Sequence, residues 1–121
     1  MKLLKPDERT GRKGDTFTGD VTLESVLSAQ REHGMSVSVV HFTDGARTNW
    51  HEHPGEQVLY ILEGAGRVGT EDEQFLVQPG DVVHAAPGER HWHGAAPGQT
   101  MTHLSVTNRG APEWFETPAE G

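Results

Sequence analysis

Trp50-His51-Glu52-His53-Pro54-Gly55-Glu56-Gln57 places two histidines at i and i+2, with a glutamine four residues after the second. On an extended chain side chains alternate with period 2, so His51 and His53 point to one face of a strand. A third group on that face completes three convergent donors for one divalent metal. Forty residues past His51 stands His91-Trp92-His93, behind the turn-like Ala86-Pro87-Gly88-Glu89-Arg90, and it supplies a fourth donor. The stretch therefore bears on chemistry as well as on fold.

Working outward, the chain reads as short strands separated by turns. Gln57 to Leu62 is the strongest β segment and Glu63-Gly64 closes it. Arg47 to His53 is extended, behind the turn Thr43-Asp44-Gly45. Met35 to Phe42, a hairpin of Gly66–Thr70 with Gln74–Val77, Val82 to Ala85, His91 to Gly94 and Met101 to Val106 follow the same pattern. A first strand over Thr16–Leu23 is interrupted at Gly19, and Leu23, Val26 and Leu27, spaced 3 and 4 apart, suggest a short helical turn within Leu23–His33. Residues 1–15 read as a polar arm or loosely held edge, residues 16–107 as one β-barrel or sandwich, and residues 108–121 as a tail whose Trp114 and Phe115 pack on its outside.

Composition supports this organisation. The chain has 121 residues, enough for one modest core, and its 15 Gly and 7 Pro suit tight turns better than long helices. It contains no cysteine, which excludes disulfides, thiolate metal sites and thiol nucleophiles. A net charge of −8 repels a phosphate backbone, so no nucleic-acid partner is expected. No apolar run approaches the ~20 residues of a membrane span, so no membrane partner is expected. The N-terminus lacks the apolar region of a signal peptide, and a cytoplasmic location is the expectation.

Two spacings carry a family resemblance. Gly45-(five residues)-His51-Glu52-His53-(three)-Gln57-(six)-Gly64 resembles the first signature motif of the cupins, and Gly80-(five)-Ala86-Pro87-Gly88-(two)-His91 resembles the second. The resemblance implies an all-β fold, a double-stranded β-helix or jelly-roll barrel, binding a divalent transition metal through His51, His53, Gln57 and His91. Gln57 stands where the motif usually has Glu, and Ala86 and Ala95 where Pro and Asn are common. Glu56 lies on the opposite face by strand parity, although a bulge would bring it to the metal instead of Gln57. With four neutral donors the ion keeps its full charge and acidifies bound water or hydroxyl more strongly.

The set closely resembles the small manganese-dependent hydroxynitrile lyase cupins. That likeness implies manganese as the ion (Fe, Zn, Ni or Co suiting the same donors), a small-molecule cyanohydrin substrate, and His103 as the base that accepts its proton. Met101, His103 and Ser105 share one strand face. His93 shares parity with His91 and either lines the pocket as a second catalytic group or serves a structural role. The same donors also suit a non-haem dioxygenase, an isomerase in which Arg47 and Arg67 hold a carboxylate, or a binding module without turnover. Exposed strand edges and the apolar tail fit a homodimer or homotetramer.

Overall fold

Gln57 to Gly64 alternates buried and exposed residues at its start, with Gln57, Leu59 and Ile61 inward and Tyr60 outward. That period fixes one wall of the molecule. A computed structural model describes residues 1–119. Its strands are β1 (Thr10–Lys13), β2 (Phe17–Thr18), β3 (Val21–Leu27), β4 (Ser36–Phe42), β5 (Arg47–Thr48), β6 (His51–Glu52) and β7 (Gln57–Gly64). There follow β8 (Gly66–Gly69), β9 (Gln74–Val77), β10 (Val82–Ala85), β11 (Trp92–Ala95), β12 (Met101–Thr107) and β13 (Glu113–Trp114). Apart from one 3-10 turn at Pro6–Glu8, the described residues contain no helix.

One six-stranded sheet has the order β1-β3-β4-β12-β7-β10, and a five-stranded sheet the order β2-β5-β11-β8-β9. All pairings are antiparallel, and the two sheets form a jelly-roll barrel. Between them Val21, Val40, Phe42, Leu59, Ile61, Val68 and Met101 make the core. β12 lies between β4 and β7, which sets His103 opposite Val40 on one side and Ile61 on the other. The register on β7 shifts between Thr102 and His103, leaving Leu62 unpaired.

The helical turn expected within Leu23–His33 is not formed. Val21–Leu27 is strand, and its register against β4 shifts between Ser25 and Leu27. A β-bulge inserts one residue and breaks the alternation. Leu23 pairs with inward Val40, whereas Leu27 pairs with Val37 one face over. The 3-and-4 spacing thus comes from a strand that changes face.

Residues 1–15 contribute β1, the edge of the six-stranded sheet, paired to β3 with Arg12 opposite Leu23. The strand expected from Thr16 is two strands, divided at Gly19 where φ is +88°. Of the expected tail, residues 120 and 121 lie outside the described residues. The remainder runs back along the barrel and forms β13, which pairs with β6.

Trp92 faces away from the core histidines yet is only 2% exposed. It sits against Gly69, where an added Cβ would meet its ring at 2.6 Å, and between the guanidinium groups of Arg47 (5.0 Å) and Arg67 (5.4 Å). Arg47 also donates to the Pro118 and Ala119 carbonyls at 3.0 and 2.8 Å, and Arg67 Nε to the Ala95 carbonyl at 3.0 Å. Both arginines, which the sequence offers as candidates to hold a carboxylate, stack on this tryptophan, and Arg47 also holds the C-terminal segment.

Candidate metal centre

The strand pattern carries His51, His53, Gln57, His91, His93 and His103 into one buried region. All six are buried. His51 and His91 face each other across a single β-bridge, each donating its N–H to the other's carbonyl at 2.9 Å. Their rings lie 4.3 Å apart, and the His53 ring is 5.2 Å from that of His51. Ligand nitrogens of His51, His91 and His93 all lie within 4.8 Å of one another, so three buried histidines are positioned to bind a metal ion. His93 thus enters the trio from a position read as pocket or structural.

Backbone carbonyls fix the tautomers. His51 Nδ1 donates to the Asn49 carbonyl (2.9 Å) and His91 Nδ1 to the Glu89 carbonyl (2.8 Å), which leaves a lone pair on each Nε2. Gln57 Nε2 donates to Ser105 Oγ (2.9 Å), turning Oε1 toward His91 Nε2, also 2.9 Å away. Two acceptors therefore face each other with no proton between them, a place suited to a cation. Both ring nitrogens of His53 and Nε2 of His93 are buried without a hydrogen-bond partner among the described residues. Buried polar atoms are rarely left so, and a metal ion would use the one lone pair that neutral His53 offers, with His93 Nε2 beside it. The donors present fit a divalent metal.

Glu56, the alternative to Gln57, is turned the other way. Its carboxylate pairs with His84 at 2.7 Å on the exterior, and its N–H donates to Asn108 Oδ1. No bulge carries it inward.

Burial holds the cluster neutral. It lowers the pKa of His51, helped by His91, to about 3, and that of His53, again with His91, to about 4. Burial likewise lowers His91, and pushes His93 well below the usual imidazole range with His103 adding to the effect. Neutral imidazole is the form that ligates metal.

His103 Nε2 and His93 Nδ1 share a hydrogen bond of 3.0 Å. The His103 pKa falls to about 3, chiefly through burial. Phe42 packs on both rings, at 5.3 and 6.0 Å between centroids, and Thr48 Oγ1 accepts the His93 backbone N–H at 3.2 Å. The pair borders a cavity of about 380 Å³ that also reaches His51, His53 and Gln57, with Phe17, Leu23, Val40 and Trp114 as apolar wall. Trp114 was read as packing outside the barrel. It pairs with His51 and its ring lies 4.5 Å from that imidazole. No spacing in the sequence signals this, because it depends on β13 returning to β6.

The remaining histidines stand apart from the cluster. His41 bonds Thr102 and Glu24, and His84 bonds Glu56.

The model of the cupin domain matches residues 38–107. The (R)-mandelonitrile lyase of Granulicella tundricola is 40% identical, over 96% of this chain and 93% of its own length. A crystal structure of a cupin-like protein from Thermotoga maritima superposes with a TM-score of 0.86 at 35% identity, covering 93% of this chain and 90% of that one. A polyketide cyclase from Streptomyces resistomycificus shares the fold, with a TM-score of 0.77 at 20% identity over 98% and 87% of the two chains. Barrel, motif spacing and relatives agree: the chain belongs to the cupin family.

Proposed function

We propose that this cupin is a metal-dependent lyase that cleaves cyanohydrins to an aldehyde and hydrogen cyanide. The observation that carries the reading is the hydrogen-bonded His93–His103 pair beside a wholly neutral donor cluster, at the wall of a cavity of about 380 Å³. The likeness to a mandelonitrile lyase over nearly the whole chain supports it.

His51, His53, Gln57 and His91 would hold the ion, for which manganese is our first choice, and His93 Nε2 borders the same space. A bound divalent cation lowers the pKa of a hydroxyl that coordinates it, most strongly when no ligand carries negative charge. The paired histidines then accept the hydroxyl proton. As the carbonyl forms, the bond to the nitrile carbon breaks, and the pair returns the proton to the departing cyanide. Rings with pKa values this low stay in the base form at neutral pH but accept a proton only from an acidified donor. The neutral Gln57 is therefore integral to the chemistry. Phe42 fixes the planes of both rings, and Phe17, Leu23 and Trp114 keep water from the departing group.

The test is benzaldehyde release from mandelonitrile, measured against a protein-free blank. Chelation should abolish it, and His103→Ala should lower it roughly 10²–10⁴-fold with metal content retained. Undiminished release in either case would overturn the reading.

A further inference from the structure

The cavity carries one formal charge, and the proposed reaction does not use it. Among the residues lining it, Arg12 is the only charged side chain, and no carboxylate lines it. Arg12 has no hydrogen-bond or ion-pair partner among the described residues. In a chain with a net charge of −8, a cavity that combines a lone guanidinium with uncharged donors is an exception to the overall field.

Register places this arginine. Arg12 pairs with Leu23, Leu23 with Val40, and Val40 with His103, so four residues on one sheet face form a row across β1, β3, β4 and β12. Three interstrand spacings put the Cα atoms of Arg12 and His103 roughly 14 Å apart. Both residues line the same cavity of about 380 Å³, large enough for a substrate with about one six-membered ring. Beside this row the sheet presents hydroxyls. Ser105 stands opposite Ser38, and Thr107 opposite both Ser36 and Gln57. Ser36, Ser38 and Thr107 offer side-chain hydroxyls that have no partner among the described residues.

We propose that the cavity is built for an oxygenated substrate that carries a carboxylate. Arg12 takes the carboxylate at the mouth, the serine and threonine hydroxyls satisfy its remaining oxygens, and the reacting hydroxyl or carbonyl lies at the histidine cluster. A guanidinium matches a carboxylate in shape as well as charge, and here no protein carboxylate competes for it. The substrate class is thus an anionic hydroxy or carbonyl compound about one ring in length, and neutral cyanohydrins fill only the inner half of the site. This inference rests on the reading of the cavity as the substrate site.

The probes are 4-formylbenzoate and its methyl ester, whose binding to the metal-loaded and metal-free protein is measured by calorimetry. The wild-type chain should bind the carboxylate about tenfold more tightly than the ester, with or without metal, the low end of a charge-assisted pair because Arg12 is exposed. Arg12→Gln should bring that ratio close to one, and Arg12→Lys should keep part of it. Equal affinities in the wild type would overturn the proposal. So would a preference that persists in Arg12→Gln, since the histidine cluster would then be holding the carboxylate. Arg12 lies on an exposed edge strand, and a melting curve of each variant establishes that it is folded. Because binding is read directly, absent cyanide release would refute the lyase reading while leaving this test intact.

Discussion

Acidification to about pH 5 should strongly destabilise the metal-free protein. His51, His53 and His103 have folded-state pKa values of about 3, 4 and 3, against 6.5 in the unfolded chain. Below 6.5 the unfolded state therefore binds protons that the native state refuses. Stability is complete above that pH and falls as pH drops toward 3–4, by about 1.36 kcal/mol per histidine per pH unit. At pH 5 each of the three should cost roughly 2 kcal/mol, together about 6 kcal/mol. That sum rivals the whole stability of a small domain, about 5–15 kcal/mol. Urea unfolding at pH 8, 7, 6 and 5, on protein stripped of metal, gives the free energy directly. The expected plot is flat above pH 7, then steepens to a slope of at least about 4 kcal/mol per unit from these three, with His91 and His93 adding to it. Loading the ion should move the fall to lower pH, because metal competes with protons for the same lone pairs. A stability independent of pH between 7 and 5 would refute the claim that these imidazoles are buried and neutral.

Two substitutions extend the reasoning. Gly94→Ala would bring a Cβ to 2.4 Å from the Ala46 carbonyl and 2.5 Å from Arg47 Cα, contacts that backbone cannot easily relieve. It should lower urea stability by roughly 1–3 kcal/mol, and an unchanged midpoint would contradict the tight apposition of β5 and β11. Gln57→Glu gives the donor set a negative charge. It should retain metal more tightly while slowing cyanide release on the order of tenfold or more, and equal turnover would remove the role assigned to the neutral glutamine.

The fold was readable from sequence because it rests on period-2 alternation and on turn residues at fixed offsets. Alternation and the two motif spacings lead one to expect His51, His53, Gln57 and His91 in one region, and all four are buried together with His93, which joins His51 and His91 in the trio suited to a metal ion. Ambiguity over Glu56 also followed from parity, and its pairing with His84 on the exterior agrees with that reading. What escaped depended on breaks in the period or on contacts distant in sequence. The bulge in β3 imitates helical spacing at Leu23, Val26 and Leu27. Trp114 reaches His51 only through the pairing of β13 with β6, and Arg47 reaches Trp92 and the C-terminal carbonyls across the fold. Arg12 looked like part of a polar arm, and its place at the cavity follows from the register of β1 on β3.

Metal content of the purified chain, by elemental analysis after reconstitution and dialysis, tests most directly the proposal that these neutral donors hold a cation. Close to one divalent transition-metal ion per chain is expected, lost in the double variant His51→Ala/His53→Ala. A wild-type chain that retains no ion, or a double variant that retains as much as the wild type, would contradict the metal centre described here.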